Sequence, residues 1–324
     1  MLRYFIKRLL SMIPVLLAVT FLIFTMMYFT PGDPATIILG DQASPEQVAK
    51  WRAARDLDKP FFQQFGNYLW KIVSRGDFGI SYKTGKNVTS ALLERFPTTF
   101  ILAIATCVIA ILLGVFLGIL AANRQGSWID NILRLFGMVG VSMPIFWLGL
   151  LLILWFAVKL KWLPVSGWYG PKYIVLPAIT MGLTFTASIM RTTRSSMLDC
   201  IKQDYVVTAL AKGQSDRVIT YHHVLRNALI PIITAAGSVF GIALAGAVIT
   251  EQVFSIPGLG SLMVNAITTR DYPLIRGSVV LLAVSFSMVN LLVDFLYAFV
   301  DPRIKAQFSG KTAKRKKVGE EIVE

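Results

Sequence analysis

Charge is what this sequence has least of. Only 15% of its 324 residues are Asp, Glu, Lys or Arg, while 55% are hydrophobic; soluble domains carry about 25% charged residues. Histidine is nearly absent. His222 and His223 are the only two, adjacent and without an HExxH context, so they offer no ligand set for a metal centre. The two cysteines, Cys107 in an apolar run and Cys200 in a polar stretch, make no disulfide framework; Cys107 reads as a small core residue. There is no phosphate loop: Gly310-Lys311-Thr312 lacks the upstream glycine and flanking strand that cradle a nucleotide. The apolar runs hold no paired carboxylates of the kind that ion-coupled carriers use, and no nucleophile sits with a base. These absences argue against an enzyme core and a self-powered pump. If the chain moves a solute uphill, the energy must come from a partner.

What the sequence has instead is long uncharged runs. Residues 9–32, 96–123, 135–158, 173–190 and 227–250 contain no Asp, Glu, Lys or Arg, and 277–300 contains only Asp294. About 20 apolar residues suffice to cross a bilayer as a helix. The runs therefore predict an all-α polytopic membrane protein with six spans, near 9–29, 98–121, 135–158, 173–190, 228–250 and 277–300. Residues 2–29 have the basic-then-apolar layout of a secretory signal. The run is too long for one, and no small-residue cleavage site follows, so it reads as a retained first span.

A net charge of +14 could suggest nucleic acid, but its distribution points to a bilayer. Arg3, Lys7 and Arg8 precede the first run, Arg124 and Arg134 flank the second loop, and Lys202, Lys212, Arg217 and Arg226 fill the fourth. Arg303, Lys305, Lys311, Lys314, Arg315, Lys316 and Lys317 crowd the tail. These are alternate loops, the positive-inside arrangement, which puts both termini in the cytoplasm and residues 31–97 outside it. Lys159, Lys161 and Lys172 run against the rule in a short outer loop. The chain divides into an N-terminus with the first span (1–30), an extracytoplasmic segment (31–97), a transmembrane core (98–303) containing a loop at 204–227, and a basic cytoplasmic tail (304–324) suited to anionic lipid headgroups.

Local signals refine this plan. Pro31-Gly32-Asp33-Pro34 ends the first helix. Ser44, Pro45 and Gln47 form a capping box for a helix to about residue 55. Leu57-Asp58-Lys59-Pro60 interrupts it before an amphipathic helix carrying Phe62, Phe65, Tyr68, Leu69 and Ile72, and Gly76-Asp77-Phe78-Gly79 turns the chain. Residues 87–96 read as a short interfacial helix, with Pro97 opening span two, where Gly114 and Gly118 permit a close helix approach. Pro144 predicts a bend within span three, either a packing kink or the lining of a passage. Trp162, Trp168 and Tyr169 suit an interfacial belt. Span four continues helically through Arg191 and Arg194. Span five is rich in small residues, Gly237, Gly241, Ala243, Ala245, Gly246 and Ala247, as a tightly packed or passage-facing helix would be. It ends in a Gly/Pro-rich turn at 254–260, a short helix to about 268, and Arg270-Asp271-Tyr272-Pro273. Gly241, Ala245, Phe254, Ile256, Pro257, Leu259 and Tyr272 are the expected passage and outer gate, because small side chains give a wide, weakly binding route.

The stretch 204–231, DYVVTALAKGQSDRVITYHHVLRNALIP, organises the rest. It is the longest polar-rich segment in the second half and is too patterned for a simple connector. Gly213 is expected to make a tight turn, Asp216 to sit near a helix start, and Arg217 to offer its forked donors to a partner carboxylate. Tyr205 and Leu210 are expected to anchor the segment to the inner ends of the spans.

This stretch resembles the EAA coupling loop of bacterial ABC-importer permeases. The family's glycine matches Gly213, its alanine pair falls on Thr208 and Ala209, and its glutamate on Val207. The peptide branch has its own version, which Asp204-Tyr205-Val206 through Lys212-Gly213 follow closely, as do His223, Leu225, Arg226, Asn227, Ala228 and Pro231. Pro31-Gly32-Asp33-Pro34, Leu57-Asp58-Lys59-Pro60, Gly76 through Ser81, Phe254 through Gly260, Arg270 through Pro273, and Asp294, Tyr297 and Asp301-Pro302-Arg303 are similar to the same branch, over residues 1 to about 305. The resemblance implies the six-helix type I importer fold, with a helical insertion between spans one and two. It also implies a first membrane subunit for dipeptides or oligopeptides, with nickel and glutathione as alternatives, in a bacterial cell membrane. The implied partners are a homologous second permease subunit, two ATP-binding subunits and an extracytoplasmic solute-binding protein. No cofactor is implied on this chain; ATP and Mg belong to the partner ATPases. Asp204, Tyr205, Ala209, Ala211, Gly213, Asp216, Arg217, Arg226 and Asn227 are the implied ATPase-coupling residues. A stand-alone secondary carrier would show inverted repeats and midplane ion ligands, and a scaffold or insertion factor would leave 204–231 without a purpose.

Overall fold

The computed structural model describes residues 2–40 and 42–300, and nearly all regular structure among them is helical. Helix α1 (Leu2–Phe29) is followed by three helices of an insertion, α2 (Pro34–Leu39), α3 (Pro45–Ala53) and α4 (Phe61–Arg75). Then come α5 (Val88–Asn123), α6 (Trp128–Ser142), α7 (Ile145–Leu152) running on as a π-helical segment (Ile153–Lys159), and α8 (Lys172–Ile201). The loop 204–227 holds α9 (Asp204–Ala211), the single turn α10 (Asp216–Val218) and a second π-helical segment (Ile219–Val224). It leads into α11 (Leu225–Val253), α12 (Leu259–Thr268) and α13 (Tyr272–Val300). Five of these helices are long and apolar enough to span a membrane, or six if α6 and α7 together count as one span. The bundle has an end carrying the insertion and an opposite end carrying the loop.

Three sequence expectations change. Pro34 starts a helix as well as ending one: Asp33 caps α2 by accepting the Ala35 N–H at 3.2 Å, and proline suits the first helical turn because its missing N–H would go unpaired there anyway. The short helix at 87–96 and span two are one 36-residue helix, capped by Asn87 and continuous through Pro97. Val88, Leu92, Thr99 and Leu102 are buried along it, and packing on both sides of the proline outweighs its local cost. Span three is the reverse case. Met143 is extended, as residues before proline prefer to be, and α6 and α7 meet at 104°; Pro144 starts a new helix and does not merely bend an old one.

The capping box at Ser44 and Gln47 is formed, and α4 ends in the left-handed Gly76, as the sequence predicts. Gly114 and Gly118 set the α5–α8 contact. A Cβ on Gly118 would lie 2.5 Å from the Thr193 Cβ, and one on Gly114 would lie 2.7 Å from the Ile189 Cβ. Around this seam lies the central core, with Leu102, Ala110, Met181, Ile189, Leu244 and Ala247 fully or almost fully buried. The insertion packs on the same bundle: Phe61 and Phe65 of α4 meet Phe21 and Phe24 of α1 edge-on. Asp271 ties the turn at 79–83 to the start of α13, accepting the Ser81 hydroxyl at 2.5 Å and the Tyr82 N–H at 3.1 Å. At the opposite end Arg8 pairs with Asp294 at 3.0 Å, joining α1 to α13. The tail 304–324, Tyr297's side chain and Asp301-Pro302-Arg303 lie outside the described residues.

Candidate functional site

The loop 204–227 is a folded unit with an inner and an outer face. Val206 and Ala209 of α9 are buried with Ile219, Val224, Ala228 and Ile232, against Ile119 and Ala122 of α5 and Met197 of α8. Tyr205 packs on this cluster as an anchor. Leu210 does not: it is 53% exposed, because α9 turns Val206 and Ala209 inward and positions one residue later on a helix point away. Val206 and Ala209 therefore do the anchoring expected of Leu210. The outer face carries Val207, Leu210, Val218 and Tyr221, with exposed Asp204, Ala211, Asp216, Arg217, Arg226 and Asn227 around them. Four large apolar side chains thus stand exposed together on a polar loop, a grouping that singly scattered surface residues do not make.

Gly213 is the pivot. Its φ is +73°, and nothing lies within 4 Å of where its Cβ would be, so the left-handed turn requires glycine while this chain supplies no close neighbour. Asp216 stands in the first turn after Ser215, without a side-chain cap. His223 and Gln214 close the turn across 2.6 Å, and the Asn227 amide donates to the His223 carbonyl at 2.8 Å. The π-helical segment at 219–224 re-aims the chain into α11. No group of three or more metal-ligating side chains occurs among the described residues.

Helix α11 joins this loop to the other end of the bundle, about 40 Å away for a helix of this length. One side of it is open from end to end: Pro231, Thr234, Ser238, Ile242, Ala245, Ile249 and Gln252 are exposed at helical spacing. The open side of α5 differs, with Ile101, Ile104, Val108, Leu112 and Phe116. The second set is wholly apolar and suits lipid tails; the first mixes hydroxyl, amide and small side chains with Ile242 and Ile249. Ala245 is on the open stripe. Gly241 is not. It is buried, and a Cβ there would run into the Phe286 ring of α13, so Gly241 serves helix packing and not a passage wall.

Of the expected gate residues, Phe254, Ile256, Leu259 and Tyr272 are buried and Pro257 is half-buried. Phe254, Ile256 and Pro257 form the turn between α11 and α12, Leu259 opens α12, and Tyr272 opens α13. The Gly167 N–H donates to the Phe254 carbonyl at 2.9 Å, and Phe254 lies against Gly149 of α7.

The residue that holds this turn is Glu251, which the sequence reading missed. It is fully buried. Its carboxylate accepts the Thr99 hydroxyl at 2.5 Å and the Ser261 N–H at 2.8 Å, and the Gly260 N–H adds to them. Thr99 in turn accepts the Leu259 N–H at 2.8 Å. A Cβ on Gly258 would press on that carboxylate, and one on Gly260 would meet first the Val248 Cα at 2.5 Å and then the carboxylate at 2.9 Å. An acid ending an uncharged run, with glycines seven and nine residues on, was the available signal. The Asp130–Arg194 pair was also missed. Arg194 Nε and Nη2 donate to the two carboxylate oxygens at 2.7 and 2.8 Å, with Asp130 buried. This pair locks α6 to the loop end of α8.

The family model described as "Binding-protein-dependent transport system inner membrane component" matches residues 114–306, and its N-terminal companion matches 1–103. The chain is 39% identical to the dipeptide transport system permease protein DppB of Alkalihalophilus pseudofirmus, over 94% of this chain and all of that one. It is 40% identical to the glutathione transport system permease protein GsiC of Escherichia coli K12, over 94% and 99%. Among solved structures, two inward-facing forms of the MetNI methionine ABC transporter superpose with TM-scores of 0.55 and 0.52 at 16% and 17% identity. Each covers 65% of this chain and 96% of that one, so this likeness carries the fold alone. The chain belongs to the inner-membrane components of binding-protein-dependent transport systems, as a multi-pass permease of the ABC-importer type in the dipeptide and glutathione family.

Proposed function

We propose that this permease forms half of a passage for short peptides and is driven by ATPases docked on its loop 204–227. The observation that carries the reading is that α11 joins the outward-facing surface of that loop to the Glu251 turn and bears an open stripe in which Thr234, Ser238, Ala245 and Gln252 alternate with Ile242 and Ile249. A homologous second permease subunit covers that stripe across the passage. Two ATP-binding subunits, which carry the ATP and Mg, sit at the loop end in the cytoplasm. A solute-binding protein delivers its cargo at the insertion end of the bacterial inner membrane. The coupling residues are Asp204, Ala211, Gly213, Asp216, Arg217, Arg226 and Asn227 on the outer face, with Tyr205 and Ala209 seating them. Ala245 faces the passage. Phe254, Ile256, Pro257, Leu259 and Tyr272 form the packed lid at its outer end.

Dipeptides are the first cargo and glutathione the second, as the named cargoes of relatives 39% and 40% identical to this chain. Both are small peptides, and both suit a wide route with few fixed ligands. The complex, reconstituted in vesicles with its binding protein and internal ATP, is expected to accumulate labelled dipeptide or glutathione and not nickel ions. Accumulation of nickel alone would reject the peptide reading.

Orientation has its own test. In a chain with Cys107 and Cys200 replaced, a cysteine at Lys50 is expected to react with an impermeant maleimide from outside the cell. A cysteine at Lys212 should react only after the membrane is opened. The reverse pattern would invert the assignment.

A further inference from the structure

The insertion borders a partly open cavity of about 180 Å³ that the passage and the loop do not use. It lies between α4, the turn at 77–82 and the start of α13, with Phe24 of α1 as its floor. Two guanidiniums line it, and neither is in an ion pair among the described residues. Arg276 lies over the rings of Phe24 and Tyr68, at 4.9 and 5.0 Å, and reaches the Tyr82 hydroxyl. Arg55 lies over Trp51 at 4.0 Å and donates one Nη1 bond to the Trp51 carbonyl at 3.3 Å. The Nε of each is buried with no partner, and so is the Tyr68 hydroxyl, on a side chain only 8% exposed. Three orphaned donors at one cavity are costly unless something accepts from them.

The acids in the lining do not fill that role. Lys59 and Lys71 pair with Asp56 at 2.6 and 3.3 Å and hold its carboxyl below the usual range, and Asp77 accepts the Gly79 N–H at 2.8 Å. We propose that this cavity is a binding site for the carboxylate of a small water-borne solute, held by Arg55 and Arg276 with the Tyr68 hydroxyl as a third donor. A planar guanidinium matches a carboxylate with two parallel bonds, and stacking on aromatic rings leaves its N–H edge free to make them. Burial pushes the Tyr68 phenol up to about 12, against the pull of Arg276, so at neutral pH it stays a donor. The faces of α4 indicate an aqueous source. Phe61, Phe65 and Tyr68 turn to α1, while Phe62, Trp70 and Val73 are uncovered and suit lipid. The polar flank with Gln64, Asn67 and Lys71 is the one that lines the cavity.

The assignment stands on this geometry, whatever cargo the passage carries, and its test needs no transport. The full chain in lipid nanodiscs, free of any soluble binding protein, is titrated calorimetrically with alanyl-alanine, its C-terminal amide and inorganic phosphate. Alanyl-alanine is expected to bind saturably, and the amide at least about tenfold more weakly, since each charge-assisted bond lost is worth about that factor. Arg276→Gln and Arg55→Gln should each weaken the acid by about tenfold or more, with Arg276→Lys recovering part. If a glutamine variant fails to fold, Tyr68→Phe, which keeps the ring, decides by weakening the acid and not the amide. Equal binding of acid and amide, no saturable heat, or full affinity in the folded variants overturns the proposal. So does phosphate binding in preference to the carboxylate.

Discussion

Glu251→Ala is expected to lower the stability of the solubilised chain by about 3 kcal/mol or more, and to abolish uptake at temperatures where the parent still works. The carboxylate it removes is the shared acceptor for the Thr99 hydroxyl and the Ser261 and Gly260 N–H groups. Each buried donor left without a partner costs about 1–3 kcal/mol, and three are left. Glu251 itself is fully buried between Thr99 of α5 and the 258–261 backbone, so the lost oxygens are replaced only by water entering from the neighbouring cleft, at a cost for each donor left imperfectly paired. Glu251→Gln should cost clearly less. Its amide oxygen still accepts, and Thr99 still has a lone pair free to take a bond from the new NH₂ group. Gly258→Ala should resemble Glu251→Ala more than a surface change, because its methyl group has no room except where the carboxylate lies. Thermal unfolding in detergent, followed by a probe of helix content, reads all three. A Glu251→Ala chain as stable as the parent would remove the carboxylate from its place as the clasp of this turn.

The bundle was legible because lipid imposes long apolar runs and helical hydrogen bonding on every span. Five runs became single spanning helices. The stretch 204–231 stood out for the same reason, as the longest polar-rich segment between apolar runs in the second half of the chain. The failures are of another kind. A proline reads alike whether its helix goes on, as at Pro97, or starts afresh, as at Pro144; neighbouring packing decides, and it lies far away in sequence. Gly241 and Ala245 looked alike as small residues on one helix. Four residues on a helix leave them near one face, and the Phe286 ring from α13 is what separates packing from opening. The partnerships of Glu251 with Thr99, Asp271 with Ser81 and Asp130 with Arg194 were invisible because a buried charge is defined by its partner, and these pairs lie 152, 190 and 64 residues apart in the chain.

Gly213→Leu is expected to cut transport by on the order of tenfold or more while the chain itself still folds. Two costs are involved, and they can be separated. A side chain at φ +73° strains the backbone by about 1–2 kcal/mol; alanine bears that cost as fully as leucine. Nothing in this chain meets a Cβ at 213, so the extra bulk of leucine is free unless another subunit is pressed against the loop. Gly213→Ala is thus the control for strain, and the difference between the two variants measures docking. Arg217→Glu tests the same face electrostatically, by placing an acid where a partner carboxylate is to be met. The seating of α9 through Val206 and Ala209, and of the π-helical segment through Ile219 and Val224, lies on the opposite side and is untouched. Both variants should therefore reach the membrane in normal amount and keep the parent's unfolding temperature within a few degrees. The purified complex should either lose its ATPases or keep hydrolysing ATP without accumulating peptide, because α11 no longer receives their motion through a stiff contact. If Gly213→Leu and Arg217→Glu both assemble, hydrolyse and transport like the parent, the exposed face of Val207, Leu210, Val218 and Tyr221 has some other occupant, and the drive must enter the bundle elsewhere.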